Sequence, residues 1–238
     1  KEKIRIDLGG NKKMVIQKNN TNDSRIEFTG NNGAIFIGND AGKNTLATNF
    51  AIGDSSLMNT TTGANNIAIG KKAVFHNTIG KDNFGVGSFA LNHTSVDSNF
   101  AIGYQALKLN TLGKRNMAVG FEALLNNVDG QDNYAIGYHS LRSNVSGSRN
   151  IAIGSIALRD NTIGDDNVGI GTDCFENNSS GSRNTVVGGF TTFDNNIDGY
   201  DNTVLGHFAM EQAVSNYQSV AIGYSALRKI TTGYGNTA

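Results

Sequence analysis

The stretch Asn144 to Gly171 reads NVSGSRNIAIGSIALRDNTIGDDNVGIG. Within it, Asn150-Ile151-Ala152-Ile153-Gly154 and Asn167-Val168-Gly169-Ile170-Gly171 are one motif written twice, 17 residues apart. A chain that returns to the same side-chain chemistry at so short an interval is winding. Helical repeats need about 33 residues or more per unit, so two helices do not fit this one. The motif alternates, as it does again in Phe100-Ala101-Ile102-Gly103, and alternation is strand periodicity.

Outward from this stretch the closing glycine recurs at Gly38, Gly53, Gly70, Gly87, Gly103, Gly120, Gly137, Gly154, Gly171, Gly188, Gly206 and Gly223. Most steps are 17 residues, with 15, 16 and 18 as exceptions. Four residues after this glycine comes an apolar landmark, among them Leu57, Val74, Leu107, Leu124 and Phe175. Ten residues after it comes a second glycine, as at Gly63, Gly80, Gly113 and Gly130, and thirteen after it an asparagine such as Asn66, Asn133 or Asn150. The pattern predicts an all-β chain, a parallel β-solenoid (β-roll) of about eleven 17-residue coils over residues 34–238. Coils stacked at about 4.8 Å would make a rod on the order of 50 Å long. Both sets of glycines are expected at corners, where only glycine takes a positive φ without strain. The absence of proline fits, because proline removes a ladder donor from a stacked strand.

Composition excludes several classes of function. With 20 basic and 20 acidic residues the net charge is zero, which gives no electrostatic reason to expect nucleic acid as partner. No apolar run approaches the roughly 18 residues of a membrane span, so no membrane insertion is expected. A single cysteine, Cys174, excludes an intrachain disulfide framework. The chain opens on Lys1 with no initiator Met, which reads as a processed product or a fragment.

The two faces of the motif differ. One carries Phe50 and Ile52, Ile67 and Ile69, Phe84 and Val86, Phe100 and Ile102, and these are expected to fill the interior with the Leu landmark. The other carries Ala51, Ala68, Gly85, Ala101, Ala118, Ala135, Ala152, Gly169 and Ala221. A column of such small residues lets another backbone approach closely, and a narrow coil buries little by itself. Self-association is therefore expected, most simply three chains about an axis lined by the Ala/Gly column. The residue before the opening asparagine alternates in charge over Arg115, Asp132, Arg149, Asp166, Arg183 and Asp201. In register, these would form an inter-coil charge ladder with a structural role.

His76, His93, His139 and His207 share no repeat position and lie at no metal-ligand spacing. Asp165 and Asp166 are neighbours on a strand-like segment and would point apart. Tyr104, Tyr138 and Tyr224 follow closing glycines, where corner packing is favoured over a carbohydrate-stacking stripe. No catalytic residue, cofactor or metal site is expected, and the chain reads as a non-enzyme.

The strings Asn66-Ile67-Ala68-Ile69-Gly70, Asn150-Ile151-Ala152-Ile153-Gly154 and Val220-Ala221-Ile222-Gly223 resemble the head repeats of trimeric autotransporter adhesins. The longer unit Ala101 to Gly120, AIGYQALKLNTLGKRNMAVG, is similar to repeats of bacteriophage tail fibres and bacterial fibre adhesins. The resemblance implies a left-handed roll in an intimate homotrimer, part of an elongated extracellular fibre on a virion tail or bacterial surface. It implies a cell-surface glycan or protein receptor as partner and carries over no binding residue. Its period of 17 departs from the shorter unit of the autotransporter heads. Other readings are a polysaccharide-processing trimeric spike or a passive spacer shaft.

Residues 1–33 lack the repeat. Ile4, Ile6 and Leu8, then Met14 and Ile16, then Arg25 to Phe28 alternate as short strands, with turns at Gly9-Gly10-Asn11 and Asn19 to Asp23. They are expected to form a β cap or shaft junction over the open edge of the first coil.

Overall fold

The computed structural model describes residues 34–45 and 47–238 in full, and the backbone of 3–7, 13–18 and 24–29. Those three early segments are strands β1 (Lys3–Asp7), β2 (Lys13–Lys18) and β3 (Ser24–Thr29), paired antiparallel in the order β1-β2-β3. The turns expected at Gly9-Gly10-Asn11 and Asn19 to Asp23 lie outside the described residues, as does Leu8.

From residue 34 onward the chain winds as a parallel β-solenoid, with no helix among the described residues. Twelve strands stack into one parallel sheet, from β4 (Ile35–Ile37) through β5 (Asn49–Ile52) and β6 (Asn66–Ile69) to β14 (Thr203–Leu205) and β16 (Val220–Ile222). That is one rung more than the eleven expected, because Ile35–Ile37 already supplies a first one. Register is one motif per coil: Ile102 pairs with Val119, Val119 with Ile136 and Ile136 with Ile153. Between β14 and β16, the short strand β15 (Ser215–Tyr217) pairs with β17 (Thr232–Tyr234) on another side of the last coils. Outside the strands the inter-coil ladder continues, for example Leu107 N to Ala123 O at 3.0 Å and Asn126 N to Arg142 O at 3.1 Å.

The core inverts the expected faces. Ala51, Ala68, Ala101, Ala118, Ala135, Ala152 and Ala221 are fully buried, packed with Leu57, Leu107, Leu124 and their equivalents inside the single chain. Gly85 and Gly169 sit in the same inward column. These residues cannot line an axis between chains, and the large alternates Phe50, Ile52, Ile67 and Ile69 point outward instead. Asparagine fixes the parity. A period of two puts Asn150 and Ala152 on one face and Ile151 and Ile153 on the other, and Asn150 is buried with its amide satisfied inside the coil. Here a methyl group stands between the strand and the facing leucine, and in the coils where Phe175 and Phe193 replace the leucine the column widens to Val186 and Val204.

Two asparagine columns carry the polar side of the core. In the first, Asn150 donates from Nδ2 to Gly164 O at 2.8 Å and to Asn133 Oδ1 at 3.1 Å, while Asn167 N donates to Asn150 Oδ1 at 3.0 Å. In the second, Asn127 Nδ2 donates to Asn110 Oδ1 at 2.8 Å and to Gly130 O at 2.9 Å. The first column's amides bond the coils before and after them, and the second column's bond their own coil's turn and the coil before, so these buried amides are satisfied.

The corners also differ from expectation. The closing glycines other than Gly188 have positive φ, +125° at Gly53 and +143° at Gly137, and the second set, Gly113 and Gly130 among them, does not. An added Cβ at Gly130 would strike Gly147 O and Asn127 Oδ1, so this position is glycine for close approach. The remaining left-handed turns fall on ordinary residues such as Gln105 (φ 57°), Leu107 (φ 51°) and Arg115 (φ 56°). Each costs about 1–2 kcal/mol relative to a right-handed residue, offset by ladder bonds and, at Leu107, by complete burial.

Candidate functional surfaces

The outward face of the twelve-stranded sheet carries two columns of large apolar side chains, one of them interrupted by Thr185 and Thr203. Tyr134 is 47% exposed, Ile136 38%, Ile153 39% and Ile222 56%. Neighbours in a column shield one another, as where Phe84 and Phe100 stack at 4.7 Å, so many others are half-buried rather than bare. None of the described residues from 34 onward covers this face. At about 4.8 Å per strand it runs about 50 Å, and a long contiguous apolar strip of this kind is unusual on a monomer.

One border of that face is the charge column. Arg115 Nε donates to Asp132 Oδ1 at 2.6 Å, Arg149 Nε to Asp166 Oδ1 at 2.6 Å and Arg183 Nε to Asp201 Oδ1 at 2.6 Å. A second bond from each guanidinium, 2.7, 2.9 and 3.2 Å in turn, makes the pairs bidentate. The guanidiniums hold all three aspartates below the usual carboxylate range. Asp132 feels Arg149 only as a more distant charge, so the column consists of pairs and not of a continuous chain.

The other border is aromatic. Tyr104 stacks on Phe121 at 5.2 Å and Phe121 on Tyr138 at 5.5 Å, and Tyr138 lies against His139 at 3.8 Å. Neighbouring rings cover each other's faces and present edges to water. A sugar platform needs a free ring face, which Phe121 lacks.

The reactive groups are placed for structure. Cys174 is fully buried, and burial first of all pushes its thiol up to about 12, so no thiolate forms near neutral pH. His76 and His93 stack at 4.8 Å, and burial, then His93, holds His76 below its ordinary value. Burial, then Arg142, does the same to His139. Asp165 Oδ1 accepts from Ser148 N at 2.7 Å, while Asp166 is held by Arg149. No cluster of three His, Cys, Asp or Glu side chains among the described residues could hold a metal ion, and the described residues contain no helix long and apolar enough to cross a membrane.

Two features escaped the reading of the repeat. The second asparagine column, Asn77, Asn110, Asn127, Asn144, Asn161 and Asn178, lies seven residues after the closing glycine, and Asn196 eight, and was legible in the same alignment. Asp194 was invisible there: burial, then Glu176, pushes its carboxyl up to about 6. Compared with protein-family models, curated proteins and solved structures, the chain matches none of them.

Proposed function

We propose that this chain is a non-enzymatic segment of an extracellular, homotrimeric attachment fibre. The single observation that supports it is the uncovered apolar face of the twelve-stranded sheet. A face of that length, interrupted only at Thr185 and Thr203 in one of its columns, suits a second and third copy of itself in the same register. The three rods then run side by side about an axis lined by residues such as Ile102, Val119 and Ile136. Left-handed winding and a cell-surface glycan or protein receptor belong to the same reading, carried by the likeness of the repeats to fibre adhesins. Three copies per fibre let weak contacts sum by avidity.

The test is attachment itself. The labelled chain is applied to bacterial surfaces and to arrays of surface glycans. The expected result is saturable binding by the trimer that is lost when I102K/I136K separates the copies. Cleavage of a bound glycan, or no surface binding by an intact trimer, would replace this reading with a processing spike or a spacer.

A further inference from the structure

Charge is paired along one side of the rod and segregated along another. The segregated side is built from the residues two, five and six positions after each closing glycine, whose alignment is fixed by ladder bonds such as His93 N to Lys108 O (3.0 Å) and Asp160 N to Glu176 O (2.9 Å). Its early coils carry Lys72, His76, His93 and Lys108, with Lys71 beside them. Among the described residues no ion pair involves Lys71, Lys72 or Lys108; Lys72 and Lys108 instead lie over Phe75 and Phe89, at 5.4 and 5.7 Å. Its later coils carry Asp160, Asp173, Glu176, Asp194 and Glu211, with Glu176, Asp194 and Glu211 on three successive coils. Arg159 answers Asp160 and Glu176, and Arg228 answers Glu211, leaving the run net negative. Burial raises both Glu176 and Asp194 above the ordinary carboxylate range, with repulsion from Asp160 and Asp173 added at Glu176 and from Glu176 and Asp173 at Asp194.

Segregation of this kind destabilises a single rod, and the paired column Arg115 to Asp201 shows that the same fold accommodates alternation. The two arms are centred about six coils, or about 30 Å, apart. Between them, at the same positions, stand His139 and the Glu122–Arg142 ion pair at 2.8 Å, and beside His139 the half-exposed rings of Phe121 and Tyr138, 43% and 49% exposed. We infer that this side is a self-complementary docking surface, on which a second copy lies antiparallel so that the basic arm of each rod faces the acidic arm of the other. A two-fold axis near Tyr138 then brings the aromatic edges together at the centre and the charges to the periphery, the usual layout of an isologous interface. A polyanion would answer the basic arm only and leave the acidic one unexplained, so the second copy is the better occupant.

Sedimentation velocity on the full chain tests this at about 10 mM and about 1 M salt, where charges are screened over about 30 and 3 Å. The expected result is a twofold rise in mass at low salt, counted from whatever mass the chain has at high salt, so the outcome is independent of the trimer. K72E/K108E makes both arms acidic and D173K/E211K makes the second arm basic; each alone is expected to stay undoubled, and an equal mixture of the two to double. Far-UV circular dichroism checks folding, and D173N/E211Q, expected to weaken doubling, replaces the reversal should that variant unfold. Doubling by either folded reversal variant alone, or none by the mixture of folded variants, overturns the proposal. A parent chain that binds dextran sulfate and never doubles overturns it in favour of a polyanion.

Discussion

Gly85 is a glycine because Val74 stands opposite it. A Cβ on Gly85 would lie 2.7 Å from Val74 Cγ2, whereas in other coils a leucine and an alanine share that space, as Leu107 and Ala118 do. Val74 is also β-branched at φ 51°, a conformation such residues rarely adopt. G85A is therefore expected to cost about 1–3 kcal/mol by overpacking, and V74L/G85A to recover most of it. Urea unfolding of the two single variants and the double one gives the coupling. Strictly additive costs would mean that the two sites do not share the space.

Asn150 links three coils through its amide, and none of its partners has solvent to turn to. N150A leaves Asn167 N and Gly164 O without that amide, an expected loss of about 2–4 kcal/mol at about 1–3 kcal/mol per buried group. In a solenoid each coil contacts only its neighbours, so hydrogen exchange should accelerate first at Asn167 and adjacent coils. Uniform acceleration along the rod would contradict nearest-neighbour coupling.

The Arg149 pair is exposed, and exposed pairs contribute little. R149A should leave the unfolding midpoint nearly unchanged. R149D, by contrast, places a carboxylate between Asp132 and Asp166 and should lower the midpoint in low salt, with recovery in high salt. A salt-independent loss would show that packing, and not charge, sets the residue at this corner.

Asp194 gives the fold a pH dependence of uncommon sign. The unfolded chain releases this proton near about 3.9, the folded chain near about 6. Between those values the folded state holds a proton that the unfolded state has lost, so stability falls as pH rises through about 6 and is greater near pH 4. Glu176 shifts in the same direction. D194N keeps the acceptor for Glu176 N, now at 3.1 Å, and should be more stable than the parent at pH 8 with a smaller pH slope in urea titrations. Equal slopes for the two chains would remove Asp194 as the cause.

The winding was legible in the sequence because each landmark has a stereochemical job that recurs every coil. The closing glycine takes a φ no side chain tolerates well, and the register Ile102, Val119, Ile136 follows from it. The inward face was misread because size alone was used to choose it; a narrow coil reverses that rule, placing Ala118 inside and Met117 outside. The buried asparagines were the better guide, since Asn116 shares a face with Ala118. The second glycines were misassigned for a related reason: Gly130 serves the approach of the next coil, a tertiary constraint without a local signature. Charge segregation around Lys72 and Asp194 lies in columns of variable residues, which a search for constant positions passes over.

The outward sheet face carries the functional reading, and the mass of the folded chain at about 1 M salt tests it most directly, because charge-driven contacts are then screened. Native mass spectrometry or light scattering should give three times the 25.2 kDa of one chain, falling to a folded single chain in I102K/I136K. A parent protein that is folded, stable and single at that salt would contradict it.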